Sequence, residues 1–198
     1  QFPPRQIVVV DDGSTDDTTA AARQAGAVVL RHLVNRDHGA ALQTGTDYAL
    51  AHDADIIVHC DADGQHQPAE IAAWIKPVVA GEVDVVLGSR FLGHKPVHVP
   101  GLKRLAFGLI IPLHNWLVGL KLTDMHNGVR VFSRRAAQQV TITQDHKAHA
   151  SEILSQIARA KLSYREVPVE ILYHRYGQPL LSGSWAIAGD WFKHLLFG

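Results

Sequence analysis

The sequence predicts an α/β domain in which a mainly parallel sheet is flanked by helices. Two observations indicate this class: short runs rich in Val and Ile alternate with helical segments, and most of these runs end in acidic or glycine-containing turns. Neighbouring parallel strands need a long crossover between them, usually a helix, so this alternation favours parallel strands. The chain has 198 residues, of which 46% are apolar, and this suits one substantial core. Residues 1–198 are therefore predicted to form a single domain.

The first strand is predicted at residues 6–10, a β-branched run that ends at the turn 11–13. A continuous apolar run of this kind is typical of a buried parallel strand. Ser14 is expected to cap the next helix, with Asp17 in its first turn and Gly26 just beyond its end.

The middle of the chain repeats this alternation. A strand at 27–30 precedes a helix at 40–52, and another buried strand follows at 55–60. Pro68 suits the first turn of a third helix, where a missing N–H costs nothing. Pro77 is expected to kink or end that helix.

The remaining elements follow the same two periodicities. They are predicted as strands at 83–87, 129–132 and 166–173, and as helices at 102–120 and 148–161. Sheets of this class bind ligands at the carboxyl ends of their strands. We therefore expect Asp11 and Asp12, Asp61 and Asp63, and Arg90 to lie along one edge of the sheet.

Composition excludes some classes of function. Lys plus Arg and Asp plus Glu number 19 each, which gives no support to nucleic-acid binding. The single cysteine, Cys60, excludes an internal disulfide and fits a reducing compartment.

The most apolar stretch, 105–122, is interrupted by Pro112 and His114 and is not expected to span a bilayer. We predict a cytoplasmic protein that contacts a membrane, if at all, at its cytoplasmic face, and oligomerisation stays open.

The acidic segment 61–66 (DADGQH) is the first candidate site. Asp61 and Asp63 lie two residues apart after an apolar strand, so in an extended segment both carboxylates point the same way. Like charges held together in a cleft need a compensating cation or hydrogen-bond donors. Oxygen ligands such as Asp63 and Gln65 suit magnesium or manganese. The alternative is that these residues only cap the helix that begins near Pro68.

The acidic turn 11–16 (DDGSTD) is the second candidate. A helix N-terminus binds anions, but carboxylates argue against a phosphate at this turn. A carboxylate suits a nucleobase N–H or ribose hydroxyls instead. The glycines match neither a dinucleotide-binding fingerprint nor a phosphate-binding loop of the Walker type, which disfavours a Rossmann dehydrogenase.

Six stretches together resemble one family. They are VVVDDGSTDDT at 8–18, NRDHGAALQTG at 35–45, DADGQHQP at 61–68, GSR at 88–90, TDMHNGVRVFSR at 123–134 and REVPVEILY at 165–173. In this order they resemble family 2 glycosyltransferases with the GT-A fold, a Rossmann-like α/β fold. The greatest similarity is to polyprenol-phosphate glycosyltransferases such as dolichol-phosphate mannose synthase.

The resemblance implies a role for each matched residue. The nucleotide sugar would be bound by Asp11, Asp12, Asp61, Ala62 and Asp63, and Mg²⁺ or Mn²⁺ by Asp63 and Gln65. The catalytic residues would be Asp63, Arg90 and Asp124, and the acceptor would be bound by Lys103, Arg104, Asn127 and Arg130. His66 and His126 fall inside matched motifs, whereas His114, His146, His149 and His174 are interpreted as surface or packing residues.

The sequence departs from the family pattern in two places. Family members begin with a strand and a PxYNE-like segment that binds the nucleotide, whereas this sequence starts just before the second expected strand, so the first strand is expected to be missing. The stretch 174–179 is also shorter than the loop usual in the family.

The implied reaction is a metal-dependent, inverting displacement at the anomeric carbon of a nucleotide sugar. A polyprenyl or dolichyl phosphate acceptor is already anionic and needs no strong base. A saccharide hydroxyl would need one, for which Asp124 is the candidate. A non-catalytic nucleotide-sugar-binding module is a further alternative. A nucleotidyltransferase is disfavoured because no glycine-rich basic loop is present.

Two apolar stretches bear on the acceptor. Residues 100–107 combine apolar side chains with Lys103 and Arg104, which suits either a lipid headgroup boundary or a core helix with a solvated end. Residues 185–198 are open to the same two interpretations, an interfacial helix or a packing helix.

Overall fold

The computed structural model describes residues 6–92, 111–112, 115–125 and 127–171. Within these ranges the strands are β1 (Val8–Asp11), β2 (Val28–Arg31), β3 (Ile56–His59), β4 (Val85–Ser89), β5 (Arg130–Ser133) and β6 (Tyr164–Pro168). The helices are α1 (Thr18–Gln24), α2 (Asp37–Ala51), α3 (Ile71–Val79), α4 (Arg134–Gln139) and α5 (His149–Arg159). A 3₁₀ turn, Pro68–Glu70, precedes α3.

The described strands form two sheets. β1 and β2 pair in parallel, with Val9 opposite Val29. The second sheet has the order β3-β5-β4-β6, in which β5 is antiparallel to both of its neighbours and β4 is parallel to β6. The reversed direction of β5 was not predicted, because a β-branched run indicates a strand without indicating its direction.

The first turn of the chain differs from its prediction. Asp17 is the N-cap residue of α1, and no side chain caps this helix. The predicted Ser14 cap is wrong: the backbone amide of Ser14 donates to Asp11 Oδ1 at 2.8 Å instead. The acidic side chain at the strand end thus holds Ser14 in the turn, and the helix begins at a later residue. Gly26 follows the helix with a φ of +85°, as its predicted role requires.

Other boundaries shift by a few residues. α2 begins at Asp37 rather than at residue 40, with Asp37 at a φ of +72°. α3 continues through Pro77 to Val79, so Pro77 does not end the helix as predicted. Pro77 lies in the last turn, where only two helical residues follow it. The short helix α4 was not predicted; Ser133 caps it by accepting a 3.2 Å bond from the Ala136 amide.

The core packs on both faces of the four-stranded sheet. On one face Val85 packs in a cluster with Ile153 of α5, and on the other Val86 packs in a cluster with Trp74 of α3. Neighbouring residues of a strand point to opposite faces, which explains why two adjacent valines serve two clusters. Each buried side chain of this size stabilises the fold by roughly 1.5–3 kcal/mol. The strands of this sheet are thus packed on both faces, and this packing fixes the positions from which the loops at the strand ends begin.

None of the described helices is long and apolar enough to cross a membrane. Of the helix predicted at 102–120, the described residues 111–112 and 115–118 are helical. The predicted acceptor residues Lys103 and Arg104, the loop 174–179 and the terminal stretch 185–198 lie outside the described residues.

Candidate active site

Asp11 stabilises the turn after β1. Its buried carboxylate accepts hydrogen bonds from the Thr19 hydroxyl and from the Ser14 amide, and Arg31 Nε lies 3.8 Å away. These bonds, led by that of Thr19, lower the pKa of Asp11 to about 2. Both oxygens of Asp11 are engaged within the protein, so this residue shapes the loop that presents Asp12.

Asp12 is held by two donors on one oxygen. Its Oδ1 lies 2.6 Å from His32 Nδ1 and 2.9 Å from the backbone nitrogen of Arg36. Burial acts to raise the pKa of Asp12, but the hydrogen bonds from Arg36 and His32 outweigh burial and lower it. Asp12 is therefore an ionised acceptor in a fixed orientation.

Asp61 lies between two imidazoles. His38 Nε2 is 3.2 Å from Asp61 Oδ1, and His66 Nε2 is 3.9 Å from Oδ2. Burial acts to raise the pKa of Asp61, but the interactions with His38 and His66 outweigh burial and hold it far below its ordinary range. The carboxylate also lies directly over the backbone of Gly128, where a Cβ would come within 2.7 Å of Asp61 Cγ. Only glycine permits this close approach.

A buried basic layer lies beneath Asp61. Arg130 is 3% exposed, and burial lowers its pKa to about 10 against the opposing effect of Asp61 and Asp124. His59 and His149 are also buried. Burial is the main reason that the pKa falls to about 3 for His59 and to about 4 for His149. Both histidines are therefore neutral near pH 7, and Arg130 supplies the positive charge of this layer.

Asp63 projects from the same loop into solvent. Its Oδ1 accepts a 2.9 Å bond from the Gln65 amide, which closes a small turn around Gly64 at a φ of +75°. The thiol of Cys60 has its pKa raised to about 11, first by burial and then by the carboxylates of Asp61 and Asp63. Both carboxylates thus lie close enough to create a negative potential at the end of β3.

The residues of this loop fit a divalent cation in one particular way. Among the described residues no group of three or more Cys, His, Asp or Glu side chains could enclose a metal ion by itself. Mg²⁺ and Mn²⁺ are commonly held by one or two carboxylates together with substrate phosphates. Asp63 suits that arrangement as an exposed carboxylate, whereas Asp61 is half-buried between the ring nitrogens of His38 and His66.

Arg90 and Asp124 form a two-pronged ion pair. Arg90 Nε and Nη2 lie 2.7 and 2.8 Å from the two oxygens of Asp124, and the Arg90 amide adds a bond of 3.1 Å. The Asp124 side chain is 2% exposed, whereas that of Arg90 is 26% exposed. This pair joins the end of β4 to the loop before β5, two segments that are distant in sequence.

Glu166 of β6 supports that pair from below. Its carboxylate accepts hydrogen bonds from the backbone amides of Thr123 and Asp124, at 2.9 and 3.1 Å, and from the Thr123 hydroxyl at 3.0 Å. Ser89 Oγ lies 2.7 Å from the same hydroxyl. The loop that carries Asp124 is therefore fixed by side chains of β4 and β6.

Asn127 carries a buried donor that meets no acceptor among the described residues. Its Oδ1 accepts a 2.8 Å bond from the Val129 amide and would meet a Cβ at Gly88. Within the described part of the chain, Nδ2 of Asn127 and Nη1 of Arg130 have no hydrogen-bond partner. An unpaired buried donor costs about 1–3 kcal/mol, so such groups point to a ligand or water.

Asp61 and Arg90 follow β3 and β4 of the four-stranded sheet, as predicted, whereas Asp11 and Asp12 lie at the end of β1 in the two-stranded sheet, so the expected single edge is divided between two sheets. The start of α2 joins two of them, because Arg36 bonds Asp12 and His38 contacts Asp61. Arg130 joins two others through its charge, since both Asp61 and Asp124 act on it. Ala62 is exposed within the same loop.

Several residues of the site were not predicted from the sequence. His38 lies inside the matched stretch 35–45, and Glu166 lies inside 165–173, but neither was singled out. His149, interpreted as a surface or packing residue, is buried and has its ring centroid 4.8 Å from that of His38. The only signal for His38 and Glu166 in the sequence was their position inside a matched motif. Their roles could not be predicted, because the residues that they contact lie far along the chain.

Comparison with known proteins identifies the family. The family model described as Glycosyl transferase family 2 matches residues 1–141. The chain belongs to glycosyl transferase family 2.

Relatives of this family 2 chain include an uncharacterized protein of Methanocaldococcus jannaschii, 36% identical over 78% of this chain and 65% of that protein. A UDP-N-acetylglucosamine–dolichyl-phosphate N-acetylglucosaminyltransferase of Methanococcus voltae is 32% identical over 75% of this chain and 61% of that enzyme. An undecaprenyl-phosphate mannosyltransferase of Micrococcus luteus is 28% identical over 83% of this chain and 74% of that enzyme. The chain thus spans less than two thirds of the length of the first two of these relatives.

Solved structures agree on the fold. Glucosyl-3-phosphoglycerate synthase of Mycobacterium tuberculosis, in complex with UDP, matches with a TM-score of 0.69 at 23% identity, over 97% of this chain and 68% of that one. The same synthase in complex with Mn²⁺, UDP-glucose and phosphoglyceric acid matches with the same TM-score at 24% identity. This likeness confirms the predicted GT-A fold class.

Proposed function

We propose that this chain is the catalytic domain of a metal-dependent, inverting glycosyltransferase that moves a sugar from a nucleotide-sugar donor to a polyprenyl phosphate. Membership of family 2 supports the transferase class. Relatives from M. voltae and M. luteus, whose names specify dolichyl-phosphate and undecaprenyl-phosphate, support the lipid-phosphate acceptor.

The donor side of the proposal rests on three carboxylates with different surroundings. Asp12 is an oriented, ionised acceptor suited to a nucleoside N–H. Asp61, clamped by His38 and His66, suits the ribose hydroxyls because an ionised carboxylate accepts hydrogen bonds from them. Asp63 is exposed and would hold Mg²⁺ or Mn²⁺ against the diphosphate, with Gln65 beside it. When bound, the ion neutralises charge on the leaving diphosphate.

The observation that carries the acceptor assignment is the state of Asp124. Its buried carboxylate is shared by two N–H groups of the Arg90 side chain and by a backbone amide. To act as a base it would have to leave this ion pair, which costs several kcal/mol for a buried charge. An acceptor phosphate, whose second pKa is about 6, is largely ionised near pH 7 and needs no such base.

The acceptor residues have distinct roles in this proposal. Asn127 offers a buried amide N–H₂ that no described residue accepts. Arg130 is also buried and contributes its positive charge, which acts together with Asp61 and Asp124. Lys103 and Arg104 remain predicted contacts of the acceptor phosphate. A lipid acceptor also places the reaction at a membrane surface, at its cytoplasmic face.

The test is a paired screen of donors and acceptors. Purified protein is supplied with Mn²⁺ or Mg²⁺, a panel of UDP- and GDP-sugars, and either polyprenyl phosphate or saccharide acceptors. We expect a glycosylated lipid product that at limiting Mn²⁺ falls strongly in Asp63→Asn and is kept in Asp47→Asn, a matched change on the exposed surface of α2. Transfer to saccharides alone would overturn the acceptor assignment, and binding of nucleotide sugars without turnover on any acceptor would favour a binding module.

A further inference from the structure

His32 connects Asp12 to α2 through an unbroken line of hydrogen bonds. Its Nδ1 lies 2.6 Å from Asp12 Oδ1, and its Nε2 lies 2.9 Å from the hydroxyl of Thr44. The backbone amide of His32 also donates to the Asp11 carbonyl at 2.9 Å, which extends the pairing of β1 with β2 by one residue. The ring is thus held at both nitrogens, and the backbone behind it is held by the strand that carries Asp12.

The hydrogen positions in this line follow from its partners. A carboxylate whose pKa is lowered has no proton to donate, so Nδ1 of His32 must be the donor to Asp12. In the neutral ring Nε2 then accepts from the Thr44 hydroxyl, and in the charged ring it donates to the same oxygen. The Nδ1–H bond to Asp12 is present in both protonation states.

This arrangement fixes one oxygen of Asp12 and leaves the other for a ligand. His32 and the Arg36 amide both bond Oδ1, so the carboxylate cannot rotate without losing both. Both short hydrogen bonds that the described residues make to this carboxylate are on Oδ1; the Asp37 amide, which donates to Asn35 Oδ1 at 3.1 Å, adds only a weaker interaction. The Asp12 side chain is 18% exposed, which leaves room for contact from outside.

We propose that His32 is the positioning residue for recognition of the donor nucleobase, because it orients Asp12 so that Oδ2 accepts a hydrogen bond from a ring N–H. This inference rests on the proposed function and specifies its donor. Uracil and guanine carry a ring N–H next to a carbonyl, whereas cytosine and adenine present an unprotonated ring nitrogen to which a carboxylate cannot bond. The oriented carboxylate therefore selects uridine or guanosine nucleotides.

The test compares four variants by calorimetric titration with UDP, GDP, CDP and ADP in the presence of Mn²⁺. His32→Ala removes the donor to Asp12, and we expect the affinity for the better of UDP and GDP to fall about tenfold or more, the effect of losing one oriented, charge-assisted bond. His32→Asn places its amide N–H₂ near the position of Nδ1 and should retain most of the affinity. His32→Gln reaches toward Nε2 instead and should behave like His32→Ala. Thr44→Val, which removes only the far bond, should have the smallest effect.

Inorganic pyrophosphate with Mn²⁺ separates positioning from a general loss of structure. Its affinity should be equal in the unaltered protein and in His32→Ala, because it presents no base to Asp12. Equal weakening of pyrophosphate and nucleotide would overturn the inference, as would His32→Ala that binds UDP and GDP as the unaltered protein does. If circular dichroism shows that His32→Ala does not fold, the two remaining His32 variants decide the question. The proposal then requires that His32→Asn bind the nucleotide more tightly than His32→Gln, and the reverse order would overturn it.

The outcomes also separate this inference from the function on which it rests. Binding of no nucleotide by the unaltered protein would overturn both. Nucleotide binding and sugar transfer that persist at full strength in His32→Ala and His32→Gln would overturn the role of His32 alone.

Discussion

Gly128 offers the sharpest test of how the site is built. A Cβ at this residue would lie 2.7 Å from Cγ and 2.9 Å from Oδ1 of Asp61, and closer still to Oδ2. Non-bonded carbon atoms rest at about 3.5–4.0 Å, so Gly128→Ala forces roughly 1 Å of movement on Asp61 or on the backbone. No positive φ is involved, which makes the clash with Asp61 the main consequence of the change.

The cost of that movement can be worked out from the surroundings. Asp61 cannot retreat without lengthening its contacts to His38 and His66, and the backbone cannot shift without disturbing Val129, which is fully buried. Overpacking of a tight site costs about 1–3 kcal/mol of stability. Displacement of a substrate-positioning group by about 1 Å can lower the rate by about a hundredfold.

We therefore expect Gly128→Ala to lower kcat/KM for the nucleotide sugar by between about ten- and a hundredfold while the protein still folds. The matched control is Gly45→Ala in α2, where a Cβ would lie 3.4 Å from Val10 Cγ2 and where alanine favours the helix by up to about 1 kcal/mol. Steady-state kinetics and urea unfolding of both variants make the comparison. A Gly128→Ala enzyme within twofold of the unaltered protein would refute the proposed packing of Asp61.

Three further predictions concern charge. Burial lowers the pKa of His59 from 6.5 to about 3, so between these pH values the unfolded chain binds a proton that the folded chain does not. The contribution of neutral His59 to the free energy of unfolding is therefore fully present above pH 6.5, and below pH 6.5 it falls by about 1.4 kcal/mol per pH unit. His59→Gln should reduce that slope by the same amount in urea titrations between pH 7 and 5, and an unchanged slope would contradict it. Asp124→Asn removes the negative charge from the ion pair with Arg90 and should cost about 2 kcal/mol in urea unfolding, less than a fully buried pair because Arg90 is partly exposed; a cost below about 0.5 kcal/mol would count against a stabilising role. Asp63→Asn should raise the Mn²⁺ concentration needed for half-maximal activity at least tenfold without lowering the melting temperature, and a normal Mn²⁺ titration would remove Asp63 from the metal site.

The sequence predicted those parts of the molecule that depend on local pattern. The β-branched runs predicted β1 to β5 to within two residues, but the last strand, predicted at 166–173, is Tyr164–Pro168. The rule on carboxyl ends correctly placed Asp61 and Arg90 at the ends of two strands of one sheet, but Asp12 follows a strand of the other sheet. The direction of β5 escaped prediction, because it depends on pairing with strands far along the chain. The helix α4 escaped because its six residues are too few for a hydrophobic period to show.

The partners of each acidic residue were the harder part. Asp61 looked in the sequence like half of a metal-binding pair, but in the structure it lies between the ring nitrogens of His38 and His66. Asp124 looked like a free base, yet it pairs with Arg90, 34 residues away. Such contacts follow from tertiary packing, and no spacing within a single motif specifies them.

The separation of β1 and β2 from the larger sheet has a consequence for binding. α1 buries none of its residues, and among the described strands β1 and β2 pair only with each other, so this part of the fold has the least to lose on opening. Regions of this kind undergo local unfolding at lower free energy than the core, and their amides exchange with solvent sooner. Because Asp12 and His32 lie there, a nucleotide that binds them is expected to stabilise this region against opening and to slow the exchange of its amides.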